Sequence, residues 1–555
     1  MGTNDLHGAI DRLPVLAGYV ANLRAARAAD GGGVVLVDGG DLFQGTLASN
    51  LGEGADIVRA YNALGYAAAA VGNHEFDYGP EGPASTVVSA GGDPRGAFKA
   101  RAQEAKFPFL VANLIDTTTG ARIAWPNTPA STMVEVAGIK VGIVGALTES
   151  TPYTTLAVNL VGLRITPPAS AIVEEAARLR AQGAQVVIAA MHIGTICKDT
   201  DHADDASSCD RTAELFKVLA DLPRGTVDAV VAGHLHAGVA HQIDGVPVIE
   251  SFSIGRAFGR IDLEVSLDAS LGASVDGHGP GKVTASHVFP PHPLCAGDLD
   301  SRDVVPLPAP VAGEACVPGT YEGKPVVPDP AIRRIADEAT ARARERRSER
   351  LGVTLRQPVT RAFTTESAEG DWFADLLLIA HPEAQVSLIN VGLIGVDLPA
   401  GDLTYGQLFD TDPFDNAYTA VDLTGADLRK LVQTNLQGGG AGFLSWGGLT
   451  AKARCKAGAL DLQIRIAGKP LRDDAHYKLA TSDYVATGGA ALMTPLKLPD
   501  TAIHLTGEIL RDVFAGVLRG WKATPKAVID PARWSPATGP RIDYVGKRPI
   551  ACAAK

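Results

Sequence analysis

No apolar run among the 555 residues is long enough to cross a bilayer, so no membrane-spanning helix is expected. The chain also lacks a basic excess. Its formal net charge is −12, which argues against a nucleic-acid polymer as partner, because a polyphosphate backbone calls for a basic face. A small anionic ligand stays compatible with that charge, since bound metals supply local positive charge. None of the six cysteines forms a CxxC pair, which argues against a zinc ribbon. No hydrophobic tail suited to a lipid anchor closes the chain, and no repeat or coiled coil interrupts it. The first motif lies almost at Met1, without the apolar strand that should precede it. The expectation is a signal peptide removed ahead of Met1 and a periplasmic or secreted location.

The cysteines that are present fit that location. Several of Cys197, Cys209, Cys295, Cys316, Cys455 and Cys552 sit in polar loops rather than core runs, as disulfides of an oxidising compartment do. Their connectivity is open from sequence, and the simplest pairing by proximity is Cys197–Cys209, Cys295–Cys316 and Cys455–Cys552.

Five stretches of the first half carry metal-binding side chains where apolar runs end. They are Asp5-Leu6-His7, Gly39-Gly40-Asp41, Gly72-Asn73-His74-Glu75, Met191-His192 and Gly233-His234-Leu235-His236. Apolar runs at 34–37, 67–71, 186–190 and 229–232 precede four of them and read as strands covered on both faces. Open α/β sheets gather ligand groups past the carboxyl ends of such strands, so the five stretches should converge on one crevice. Two metals about 3.5–4 Å apart need one shared ligand and several private ones. Asp41 is the candidate bridge. Asp5, His7 and His236 would complete one site, and Asn73, His192 and His234 the other. Mixed nitrogen and oxygen donors suit Zn, Mn, Fe or Co. His74 follows a proposed ligand and can lie beside the metals without binding them, with Asp77 near enough in the chain to orient its imidazole. In-line attack on phosphorus by a metal-bound hydroxide leaves a departing oxygen that needs a proton, and His74 suits that task.

The rest of the chain reads as a linker and a second unit. Residues 1–275 alternate strands with helices such as 169–182, an α/β pattern. Residues 276–328 hold Pro290, Pro291, Pro293, Pro306, Pro308, Pro310, Pro318, Pro325 and Pro328, which argue for a linker or wrapped loop. Asp329-Pro330 starts a connector helix over 329–352, with Gly352 as its stop and a stripe of Ile332, Ile335, Ala336, Ala339 and Ala343. Residues 353–555 form a second α/β domain with a strand at 386–389, a helix at 426–437, another strand at 478–481 and an irregular tail.

The motifs resemble those of the calcineurin-like metallophosphoesterases, specifically the exported 5′-nucleotidase, UDP-sugar hydrolase and 2′,3′-cyclic phosphodiesterase family. The resemblance rests on Thr3-Asn4-Asp5-Leu6-His7-Gly8, Gly40-Asp41, Gly72 to Asp77, Gly233-His234-x-His236, Pro413-Phe414-Asp415-Asn416 and the loop from Tyr484 to Gly489. It implies a four-layer αββα phosphoesterase domain, a C-terminal substrate-binding domain and hydrolysis of nucleotides or related small phosphate esters. It further implies that Phe414 and Tyr484 stack a base, with Asn390, Asn416 and Gly488 beside them. The family's phosphate-gripping Arg and ribose-binding Asp are replaced here by Gly395 and Ala490, and Arg361 does not align with a second usual Arg. That departure raises a second reading, the same chemistry on a cyclic phosphodiester or a non-nucleotide substrate. A third, from another class, is a binding or adhesion module with a structural metal core. Monomer and dimer are both open.

Overall fold

The structure, a computed structural model, describes residues 1–87, 91–266, 282–300, 316–438, 442–521 and 527–552. It divides into two compact units. The first comprises Met1–Phe76, Gly96–Thr151 and Leu160–Ala343; the second comprises Asp77–Arg95, Pro152–Asn159 and Arg344–Lys555.

Two six-stranded sheets form the centre of the first unit. One orders its strands Lys282–Pro293, Ala257–Ser266, Gly2–Thr3, Val37–Asp38, Ala68–Ala70 and Phe109–Leu110. The other orders them Gly238–Ile243, Val246–Ser251, Ala229–Val231, Val186–His192, Ile139–Leu147 and Ser131–Val136. Their inner faces share one apolar cluster, in which Val37, Ala68 and Leu110 of the first sheet meet Ile143, Ala190, Val231 and Ile249 of the second. The outer face of the second sheet buries Val144 and Val187 against Ile172 and Leu179 of helix Pro168–Ala181 and Leu215 of helix Glu214–Asp221. Helices Leu13–Ala29 and Ala55–Leu64 belong to the opposite layer, and Tyr61 of the latter donates to Asp38 of the first sheet at 2.9 Å. Strands buried on both faces have no polar alternation to show, which is why their sequences run Ala-Ala-Ala and Ala-Val-Val. The unit is a four-layer αββα sandwich.

Part of the segment read from sequence as a Pro-rich linker is sheet. Lys282–Pro293 pairs antiparallel with Ala257–Ser266, with His292 opposite Phe258 and Pro293 opposite Ala257. It is the edge strand of its sheet, where a proline's missing N–H costs no ladder bond. Pro306, Pro308 and Pro310 lie outside the described residues. The connector helix runs Pro330–Arg347, shorter than expected. Asp329 Oδ1 caps it, accepting from the amides of Ala331 at 2.8 Å and Ile332 at 2.9 Å. Ile332, Ala336, Ala339 and Ala343 are its buried face. Leu351 and Gly352, expected inside the helix or at its stop, instead lie in strand Arg350–Leu355.

The second unit has a mixed five-stranded sheet, ordered Leu444–Gly447, Val386–Asn390, His476–Ser482, Ala417–Thr424 and Ile503–Ile509. Helix Ala368–Ala380 covers it, and Phe373 stacks on Phe514 of helix Leu510–Gly520 at 4.8 Å. Arg350–Leu355 pairs with Gly401–Thr404 and Ala527–Ile529 in a small sheet, and Leu449–Lys456 leads a four-stranded one. All six cysteines are paired, Cys197–Cys209, Cys295–Cys316 and Cys455–Cys552, which is the pairing by proximity. Among the described residues, no helix is long and apolar enough to cross a membrane.

Candidate metal centre and substrate loops

The five stretches meet within the first unit. Ligand atoms of Asp5, His7 and His236 lie within 4.8 Å of one another, and so do those of Asp41, His192 and His234. In the first group His7 Nε2 is 3.0 Å from His236 Nε2 and 3.8 Å from Asp5 Oδ1, which is 3.4 Å from His236 Nε2. Donors that share one ion at about 2.0–2.2 Å stand roughly 3–4 Å apart. In the second group His192 Nε2 lies 3.0 Å from both Asp41 Oδ2 and Asn73 Oδ1. Asp41 Oδ2 is also 3.9 Å from His7 Nε2, so this one oxygen faces both groups.

Hydrogen bonds behind the rings set which nitrogen faces inward. His7 Nδ1 lies 2.8 Å from the Gln44 carbonyl and His192 Nδ1 lies 2.8 Å from the Gly39 carbonyl. A carbonyl only accepts, so each Nδ1 carries a proton and Nε2 is the atom each ring turns toward the centre. Asp5 Oδ2 accepts from Asn4 Nδ2 at 2.7 Å and the His234 amide at 2.9 Å, whereas Asp5 Oδ1 is buried with no hydrogen-bond partner. Lone pairs converging from Asp5, His7 and His236, and again from Asp41, Asn73 and His192, are what a divalent cation satisfies. The residues present fit such ions.

Electrostatics agree with crowding of donors. Burial, with the neighbouring His236, pushes His7 down to about 3; burial and His192 push His234 down to about 4. Burial would raise Asp5, but the neighbouring His236 and His192 hold it at about 2. Against burial, which acts downward, the Asp41 carboxylate lifts His192 to about 10.

Backbone strain concentrates at the same residues. Asp5, His7, Asp41, His234 and His236 all have φ between 47° and 89°, the left-handed region that non-glycine residues seldom adopt. Gly72 is required by proximity, since a Cβ there would overlap Asp41 Oδ1. The His74 ring sits edge-on to His7, 5.3 Å between centroids, and its amide donates to Asp41 Oδ1 at 2.8 Å. Ser150 Oγ, to which sequence reasoning assigned no role, lies 3.3 Å from His234 Nε2. Nor did the sequence assign a role to the buried carboxyls of Glu75 and Glu250, although Glu75 stood inside a recognised motif. Burial raises both groups, and the backbone amides that donate to their oxygens oppose the rise.

The remaining expected residues belong to the second unit. Asp77 is buried there and accepts from Thr155 Oγ1 at 2.6 Å. Asn390, Asn416 and Tyr484 cluster at one end of the five-stranded sheet. Asn390 ends one strand, Tyr484 follows the parallel strand His476–Ser482, and Asn416 precedes the antiparallel strand whose Tyr418 pairs with Ser482. Asn390 Oδ1 accepts from the Gly392 amide at 3.1 Å, and Asn416 is buried with Nδ2 unpartnered. Tyr484 Oη donates to the Tyr153 carbonyl at 3.0 Å, and Gly488 takes φ 117°. Phe414 is half-buried, and its carbonyl accepts from Arg511 at 3.1 Å. Position 395 is not without a cation: Arg361 Nη1 donates to the carbonyls of Ile394, at 3.1 Å, and Gly395. A residue 34 positions earlier in the chain therefore brings a guanidinium to the glycine, which motif alignment could not reveal. Ala490 is exposed with φ 50°.

A β-sandwich with paired donor groups at its strand ends, followed by a separate α/β unit, defines a two-domain metallophosphoesterase. Residues 1–238 match the calcineurin-like phosphoesterase family and residues 347–497 the 5′-nucleotidase C-terminal domain. The chain belongs to the calcineurin-like phosphoesterases that carry a 5′-nucleotidase C-terminal domain. It is 23% identical over 518 residues to the endonuclease YhcR of Bacillus subtilis, covering 90% of this chain and 38% of that protein. It is 26% identical over 495 residues to the 5′-nucleotidase of Vibrio vulnificus, covering 85% and 80% of the two chains. Among solved structures, a 5′-nucleotidase precursor from Thermus thermophilus aligns with a TM-score of 0.62 at 20% identity, covering 98% of this chain and 99% of that one.

Proposed function

We propose that this protein hydrolyses nucleotides and related small phosphate esters at a pair of divalent cations. The observation that carries the reading is the position of Asp41 Oδ2, facing the Nε2 atoms of both His192 and His7. Asp5, His7 and His236 would hold one cation, Asn73, His192 and His234 the other, with Asp41 as the ligand available to both. Bound cations would neutralise phosphate charge and lower the pKa of water. His74, edge-on to His7, donates a proton to the departing oxygen or stabilises charge on the phosphate in the transition state.

Phe414 and Tyr484 are the stacking surfaces for a base, with Asn390, Asn416 and Gly488 beside them. Arg361 supplies the cation that Gly395 lacks, which favours a nucleotide over the cyclic or non-nucleotide alternative. Three disulfides fit an oxidising, periplasmic or secreted setting. The test is metal analysis of the purified chain coupled to turnover of AMP, ATP, UDP-glucose, 2′,3′-cyclic AMP and p-nitrophenyl phosphate. Nucleotide turnover that disappears on chelation and returns with Mn²⁺ or Zn²⁺ is expected. Undiminished turnover in metal-free protein, or turnover of cyclic diesters alone, refutes the reading.

A further inference from the structure

Two buried carboxylates stand directly behind the donor groups, each at most 1% exposed. Glu75 Oε2 accepts from the amides of Asp41 at 3.0 Å and Gly72 at 2.6 Å, and its Oε1 accepts from the amide of Leu42 at 2.7 Å. One side chain thereby ties the loop bearing Asp41 to the loop bearing Asn73. Glu250, in strand Val246–Ser251 of the other sheet, repeats the device. Its Oε2 accepts from the Thr195 amide at 3.3 Å, its Oε1 from the Leu235 amide at 3.1 Å, and the Ala237 amide also reaches it. Thr195 lies just past His192, and Leu235 stands between His234 and His236. The two loops close so tightly round this carboxylate that a Cβ on Gly194 would lie 2.6 Å from Glu250 Oε2 and 2.5 Å from the Gly233 carbonyl.

Every group just named as facing these oxygens is a backbone donor. A carboxylate has acceptors on both oxygens, whereas an amide of the same shape has one acceptor and one donor, and so must oppose one of the two loops. The loops need such a hold, because Asp41, His234 and His236 keep left-handed backbone that persists only where surroundings over-determine it.

We infer that Glu75 and Glu250 are the positioning residues of the metal centre, each gathering the amides of two ligand-bearing loops and so fixing the donors Asp41, Asn73, His192, His234 and His236 in place. This rests on the metal-centre reading above. The fifth stretch needs no third brace, since Asp5 Oδ2 is itself held by the His234 amide.

The experiment uses the full chain as wild type, Glu75→Gln and Glu250→Gln, each stripped of metal and titrated calorimetrically with Mn²⁺ and Zn²⁺. The melting temperature of each metal-free protein is measured in parallel. The expected result is a loss of metal affinity of about 10–100-fold in each variant, with activity recovering when metal is raised in proportion. Wild-type affinity in both variants overturns the inference while leaving the centre itself intact. A lowered melting temperature with unchanged affinity also overturns it, because the role is then structural alone. Failure of the wild type to bind metal refutes the underlying reading instead. Should Glu250→Gln not fold, Glu250→Asp carries the test. Its shorter carboxylate reaches only one loop, so a comparable loss of affinity is expected, and unchanged affinity overturns the inference.

Discussion

His192 Nε2 points at Asp41 Oδ2 from 3.0 Å, while the proton on its other nitrogen is committed to the Gly39 carbonyl. In the neutral ring both facing atoms are acceptors, an arrangement that repels unless a proton or a cation stands between them. Asp41→Ala removes the oxygen that faces both groups. It is expected to lose both bound metals in elemental analysis and with them measurable phosphate release. Retention of two metals by this variant would show that the bridge lies elsewhere.

His74 separates binding from chemistry. Its amide, not its ring, contacts Asp41, so His74→Asn leaves that hydrogen bond available. The variant is expected to bind metal with wild-type stoichiometry and lose about 10²–10⁴-fold in kcat, the range for a removed proton donor. A leaving group that needs no protonation, such as p-nitrophenolate, should suffer less than a ribose hydroxyl. Equal losses on both substrates would assign the ring to charge stabilisation instead.

What could be read before the fold was known follows from how local each signal is. Asp41, Asn73, His192 and His234 were visible because each follows an apolar run, and strand ends are a property of neighbouring residues; Asp5 was visible through its Asp-x-His motif. The edge strand Lys282–Pro293 was not, because prolines oppose central strands and nothing local reveals that a strand lies at an edge. The connector helix was overextended for a related reason: the burial of Leu351 in a strand depends on residues 401–404 and 527–529 pairing beside it. Membership of Asp77–Arg95 in the second unit is a matter of contacts across hundreds of positions. Arg361 at Gly395 and the two braces, Glu75 and Glu250, are likewise long-range or backbone interactions that leave no periodic trace.

Arg511 is placed to hold the loop that presents Phe414. It is 3% exposed, donates to the carbonyls of Asp412 at 2.8 Å and Phe414 at 3.1 Å, and pairs with Asp415. Its guanidinium also lies 4.6 Å from the Phe409 ring centroid. Lysine keeps the charge but not the fork, so Arg511→Lys should loosen the loop without leaving Asp415 unpaired. The expected outcome is a KM for AMP raised by about 10-fold with kcat nearly unchanged, while p-nitrophenyl phosphate, which has no base to stack, keeps its wild-type KM. A parallel rise in both KM values would show that Arg511 does not act through the base-stacking loop.

Asp412 sets a pH dependence of stability in the same loop. It is 6% exposed, and burial pushes it up from 3.8 to about 7, with Arg511 opposing and Asp415 adding to the rise. Below pH about 4 the side chain is protonated whether the chain is folded or not. Between about 4 and 7 the unfolded chain has released that proton and the folded one has not, so the folded state binds more protons and loses stability as pH rises. Above 7 both forms are ionised and the dependence stops. The shift corresponds to a loss on the order of a few kcal/mol across that window. Asp412→Asn removes the titration while preserving size, so its stability in urea should fall less than that of the wild type between pH 5 and pH 8. Identical pH profiles for the two proteins would mean that Arg511 keeps Asp412 ionised throughout, and that the loop is held by a fully charged pair instead of a protonated acid.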